Sequence, residues 1–174
     1  GGGGVVGVGP NLGLASYNTF ETIPGCGTCS YSDSRWTAML DATSRGFEVI
    51  NMSLGSTAQY GGRGTNDLAT YVAAEKRIAS YVLRHGTNMV ASSGNSALPL
   101  NGTIIHLPGD IPEIVNVSAT GIRPDPVYPQ PGAWDVLADY SNYGAAVTVT
   151  APGGDCGPDG SCSVPQYLVL SSYV

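Results

Sequence analysis

The residues best suited to chemistry gather in the stretch Asn88 to Pro99, NMVASSGNSALP. An apolar run gives way to Ala91, Ser92, Ser93 and Gly94, and Asn95 follows. The Asn95 carboxamide carries two N–H donors, and small neighbours leave room beside it for a bound group. One use of such an amide is to meet the negative oxygen that develops when an acyl carbonyl is attacked. The alternative is a turn asparagine that bonds its own loop.

Other reactive residue types offer less. The chain has two histidines. His85, in HGTNMVA, follows Arg84 and precedes Gly86 at the end of a helical pattern, where it complements the helix dipole. His106, in IIHLPGD, reads as a loop residue ahead of a strand. The four cysteines fall as Cys26 and Cys29 and as Cys156 and Cys162, all in Gly-, Pro- and Ser-rich loops. Three pairings are formally possible. Local disulfides in an oxidising, extracellular setting lead, with free thiols as the alternative. The second pair lacks the spacing of a zinc knuckle, so no metal ligands are assigned. Gly2, Gly4 and Gly7 match G-x-G-x-x-G, but Pro10 interrupts the helix that a dinucleotide fingerprint requires. Asn51, Asn101 and Asn116 sit in N-x-S/T triplets, of which Asn101 alone is placed in a loop.

These residues must be positioned by a scaffold, and composition bounds it. The 174 residues suffice for one cored domain. Twenty-five glycines and 12 prolines imply many turns, and charged residues make up only 11%. A net charge of −6 with seven Lys and Arg argues against nucleic acid, because so few cations cannot track a phosphate backbone. No apolar run approaches a membrane span, and no secretory leader pattern opens the chain. Partners are therefore expected to be peptides or proteins, with neither nucleic acid nor membrane involved.

Along the chain, Leu12 to Tyr17 reads as a short strand, and Trp36, Met39, Leu40 and Thr43 follow a helical period that Asp33 or Ser34 can cap. Gly46 ends that helix, and FEVINMSL reads as a largely buried strand. GSTAQYGGRGT is a loop. Thr65 or Asn66 can cap a longer helix carrying Leu68, Tyr71, Val72, Ala79, Val82 and Leu83, which Gly86 stops. Strands follow at NMVASS, Ile114 to Ala119 and AAVTVTAP. Strands alternating with helices predict an α/β fold, a doubly wound, mostly parallel sheet with helices on both faces. Ligands of such sheets collect beyond the carboxyl ends of the strands, which puts Ser53 to Gly55 and Gly94-Asn95 on a common rim.

Four blocks occur in order: VINMSLGS (49–56), VASSGN (90–95), IPEIVNVSATG (111–121) and YSNYGAAVTVTAPG (140–153). Together they resemble the subtilisin-like serine proteases, and GVVGVGPNLGLASYNTF (4–20) is similar to the segment after that family's catalytic-histidine helix. The resemblance implies a serine endopeptidase that acts by acyl transfer, with Asn95 as the oxyanion-hole asparagine. It makes Ser53, Leu54 and Gly55 one wall of the primary specificity pocket and Ala91, Ser92, Ser93 and Gly94 the facing wall. An extended substrate would add itself as a strand beside Ser53 to Gly55. A larger side chain at Gly94 is then expected to narrow the pocket.

The family's D-T-G or D-S-G, H-G-T-H and G-T-S-M motifs do not occur in these 174 residues. YLVLSSYV (167–174) is similar to the stretch leading up to the family's serine. Ser171 and Ser172 lack that serine's context, and Asp139 and Asp155 read as loop or strand-edge acids. Residues 1–174 are thus expected to form the central portion of one protease domain, truncated at both ends and inactive alone, with the triad on missing N- and C-terminal segments. No cofactor is assigned, and calcium remains open as a structural ion because carbonyl ligands leave no sequence trace. The alternative is a non-catalytic subtilisin-like fold that binds extended peptides.

Overall fold

Short apolar runs that end in Gly, Pro or Ser build the centre of the fold. The computed structural model describes residues 7–61, 66–122, 135–155 and 169. In chain order the elements are β1 (Glu21–Ile23), β2 (Gly27–Cys29), α1 (Ser32–Ser44), β3 (Val49–Met52), β4 (Ser56–Gln59), α2 (Asn66–Arg84), β5 (Asn88–Ser92), β6 (Pro99–Leu100), β7 (Ile104–Leu107), β8 (Val115–Ile122), β9 (Asp135–Leu137), β10 (Tyr143–Gly144) and β11 (Val149–Pro152). Strands β11, β8, β5 and β3 lie side by side in that order, all parallel, and β9 adds to β8 antiparallel. Met52 pairs with Ala91 and Ser92 with Val117, so Ser53 and Ser93 leave neighbouring strands at nearly the same level.

Both helices pack against the sheet face formed by Met52, Met89 and Ala91. Met39 of α1 and Ala79 and Val82 of α2 join those residues in one buried cluster with Ile105, Leu107, Ile111 and Ile114. The second helical layer of a doubly wound sheet is not among the described residues. Gly46 (φ +79°) and Gly86 (φ +91°) end the two helices in the left-handed conformation that a glycine adopts without strain.

Several elements differ from expectation. Helix α1 begins at Ser32 after Tyr31, whose side chain makes no capping bond, so neither Asp33 nor Ser34 is the cap. Leu40 and Leu83 are exposed, off the buried stripes of their helices. Strand β3 is not largely buried: Val49 is 60% exposed, because β3 is the last strand of the sheet. Leu12 to Tyr17 runs outside any strand and pairs with none among the described residues, leaving Leu14 94% exposed. GSTAQYGGRGT contains β4, which pairs antiparallel with β7, so His106 lies in a strand and not in a loop. Cys26 and Cys29 form a disulfide across the tip of the β1–β2 hairpin. Residues 156–168 and 170–174, with Cys156, Cys162, Ser171 and Ser172, lie outside the described residues, as do Gly2, Gly4 and Thr65.

Candidate active site

Strand β5 delivers Ser92 to the sheet rim, and the chain then turns at Gly94, whose φ of +98° few side chains tolerate. Asn95 follows, exposed, and its side chain makes no hydrogen bond among the described residues. It lines a cleft of about 390 Å³ together with Ser53, Ala91, Ser92, Ser93 and Gly94. Asn51, Val117 to Ala119 and Tyr140 complete much of the lining. Ser53 is steadied by Asn51, whose Nδ2 donates to its Oγ over 3.0 Å. The phenol of Tyr140 donates to the Gly153 carbonyl at 3.1 Å. Burial first, and the Asp155 carboxylate second, raise the Tyr140 pKa above its ordinary 10.0, which keeps the phenol neutral.

Two of the expected wall residues do not line this cleft. Leu54 lines a separate cavity of about 550 Å³ between α1, β3 and the segment from Gly13 to Thr19, together with Met39 and Met52. An apolar side chain at the strand end turns toward the apolar layer and leaves the polar rim to Ser53. Gly55 does not line the Asn95 cleft but abuts β7, where a Cβ on it would stand 2.4 Å from His106 Nε2.

The loop carrying Asn95 is fastened by Asn142, to which the sequence reading assigned no role. Asn142 is fully buried. Its Oδ1 accepts the backbone N–H groups of Ser96 and Leu98, each at 3.0 Å, and its Nδ2 donates to the Ser93 carbonyl at 2.8 Å. Its backbone N–H donates to the Gly94 carbonyl at 3.0 Å. Backbone groups on both sides of Asn95 are thereby satisfied by one side chain, while the Asn95 amide is left over. The available signal was the position of Asn142 in YSNYG, and a buried staple there reads no differently from a turn asparagine.

The remaining candidates separate cleanly. His85 directly follows α2, where Nδ1 donates to the Tyr81 carbonyl at 2.8 Å and the ring stacks on Tyr81. His106 is buried, with Nδ1 2.9 Å from Thr57 Oγ1, and burial lowers its pKa below the ordinary 6.5. Asn101 is exposed and Asn116 fully buried, as their expected places in a loop and a strand implied, but Asn51 is exposed on the edge strand β3. Among the described residues, no three His, Cys, Asp or Glu side chains gather in a metal-binding group. What the cleft offers is an unengaged amide donor, small side chains and the open rim of a parallel sheet.

Known proteins resemble this chain in sequence and in fold. The sequence profile of the subtilase family matches residues 1–173. Subtilisin DY of Bacillus licheniformis is 32% identical over 152 residues, which are 86% of this chain and 45% of that protein. Among solved structures, a lanthipeptide protease superposes with a TM-score of 0.69 at 26% identity, covering 90% of this chain and 42% of its own. The nisin leader peptidase NisP of Lactococcus lactis shares the fold, at a TM-score of 0.57 and 24% identity over 73% of this chain and 38% of its own. The chain thus spans less than half the length of each of these relatives.

Proposed function

Since this chain belongs to the subtilase family, we propose that it forms the central portion of a serine endopeptidase domain in which Asn95 stabilises the oxyanion of acyl transfer. The observation that carries this reading is the Asn95 amide, exposed on the same cleft as Ser53 and the small run Ala91 to Gly94 and spent on no internal bond. A donor fixed in advance costs no reorganisation when charge develops, so it acts on the transition state more than on the bound substrate.

In the mechanism, a serine outside residues 1–174 attacks the scissile carbonyl, a histidine outside them takes its proton, and an aspartate orients that histidine. The carbonyl oxygen, now negative, receives the Asn95 N–H. Collapse of the tetrahedral species expels the amine, protonated by the same histidine, and water repeats the sequence on the acyl-enzyme. The substrate is an extended peptide or protein segment lying beside Ser53 to Gly55, with the residue before the scissile bond between that segment and Ala91 to Gly94. The Cys26–Cys29 disulfide supports an oxidising, extracellular working place. No described helix is long and apolar enough to cross a membrane.

Labelling of the full-length protein by a serine-reactive phosphonate tests the reading. Stoichiometric labelling, blocked by a competing peptide, is the expected result. A protein that binds extended peptides without labelling would instead be a non-catalytic member of the fold.

A further inference from the structure

Strand β2 owes its path to a cross-link more than to packing. Strands β1 and β2 pair with each other in a two-stranded sheet apart from the central one. Among the described residues, none from Glu21 to Tyr31 belongs to the buried core. A lone two-stranded hairpin is marginal in water, and this one has three residues in each strand. The disulfide supplies what packing does not. It ties Cys26, in the turn, to Cys29, at the end of β2, with the Cα atoms 6.2 Å apart. Three extended residues would span about 10 Å, so the bond holds this stretch contracted. Gly25 and Gly27, at φ +83° and +80°, allow the bend on either side of Cys26. Cys26 is exposed and Cys29 half-buried, which leaves the bond open to attack from solution.

We propose that Cys26–Cys29 is a redox switch: oxidised, it holds β2 contracted in the hairpin, and reduced by a dithiol, it lets residues 21–31 come loose while the central sheet stays folded. This goes beyond the proposed function and holds whether or not the domain is catalytic. Exposed disulfides are the ones most open to exchange. One thiolate of the dithiol attacks Cys26 Sγ, the S–S bond breaks, and its electron pair leaves on Cys29 Sγ, which takes a proton from water. The second thiolate attacks the mixed disulfide and frees Cys26 Sγ in the same way, so the dithiol leaves as a disulfide. The effect reaches the cleft end of the molecule. Residues 45–48 reverse the chain between α1 and β3, so α1 starts at the rim toward which β3 runs. Only Ser30 and Tyr31 separate the hairpin from α1, and Tyr31 gives the helix no side-chain cap. A released β2 therefore loosens the first turn of α1, at the end that carries Ser53 and Asn95.

The test uses the full-length protein without denaturant, with and without dithiothreitol, followed by alkylation, peptide mapping and amide hydrogen exchange. Cys26 and Cys29 are expected to be alkylated only after reduction. Exchange across residues 21–31 should then quicken at least about tenfold, in keeping with the low end of a native disulfide's stabilisation, while β5 and β8 keep their rates. Oxidised dithiothreitol should restore the slow exchange. The double variant Cys26→Ser with Cys29→Ser should exchange at the reduced rate with or without dithiothreitol, which separates this bond from any effect at Cys156 and Cys162. A bond that yields to dithiothreitol only in denaturant overturns the inference, and so does a reduced bond with unchanged exchange across 21–31. Equal quickening in β5 and β8 would mean global unfolding and overturn it as well. These three outcomes need no variant, so a double variant that fails to fold leaves the inference decidable.

Discussion

Gly94 holds a φ of +98° with Asn142 Nδ2 and the His106 ring packed where a Cβ would stand. A side chain there meets backbone strain before it meets a substrate, so Gly94→Val does not simply narrow a pocket. Gly94→Ala should cost about 1–3 kcal/mol of stability, read from urea unfolding. An unchanged midpoint would show that the loop relaxes freely. Asn142→Ala should release the loop around Asn95 and lower kcat about tenfold or more, with KM moving less; equal losses in both would point to general misfolding. His106 sets a pH dependence. Burial lowers its pKa, so the unfolded chain takes up a proton at the ordinary 6.5 while the folded ring does so only at lower pH. Stability from this group is therefore present above 6.5 and lost as pH falls below it. Asp110, whose Oδ2 accepts the His106 backbone N–H, is shifted upward by burial from 3.8, so its contribution is lost as pH rises through the carboxylate range. Thermal melts from about pH 7.5 down to 5.5 should show the decline, and His106→Gln should flatten it; a decline that persists in the variant would assign it elsewhere.

At the scale of elements, helices α1 and α2 meet around a buried ion pair, Arg35 with Glu75. Arg35 also donates to Tyr71 Oη at 2.6 Å, Trp36 Nε1 donates to Glu75 at 2.9 Å, and the Trp36 and Tyr71 rings stack. Burial alone would lower the Arg35 pKa, and the Glu75 carboxylate together with Tyr71 more than reverses this. Glu75→Gln strands that charge and should cost about 3–5 kcal/mol, whereas Arg35→Met with Glu75→Leu should cost much less. Urea unfolding of both decides, and a single variant no worse than the double would deny the pairing its role. Glu75 lay unread in the sequence because its neighbours Tyr71, Val72 and Ala79 already completed an apolar stripe, and nothing local announces a partner forty residues away. The parallel strands and both helices were legible because long runs and glycine stops leave strong periodic marks. β4 and β7 were not, since four residues of alternating small side chains beside Gly55 look like a loop until their partner is known. Leu12 to Tyr17 shows the converse, a strand-like pattern that finds no ladder among the described residues. The place of Asn95 on the sheet rim was legible through its small neighbours and the strand end before it, but Asn142 and His106 make contacts 40 to 50 residues away in sequence, beyond the reach of spacing.

Over the whole molecule, a sheet rim brings Ser53 and Asn95 to one cleft, and an acidic chain with few cations leaves that cleft unsuited to phosphate backbones. The chain covers 45% of subtilisin DY, so its amide works, on the proposed reading, with a triad carried by other segments. The most direct measurement is steady-state kinetics of Asn95→Ala beside the parent in the full-length protein. In the variant kcat should be lower by about a hundredfold or more, the size of a single oxyanion donor in subtilisin, with KM nearly unmoved. A variant that turns over as fast as the parent would contradict the oxyanion role.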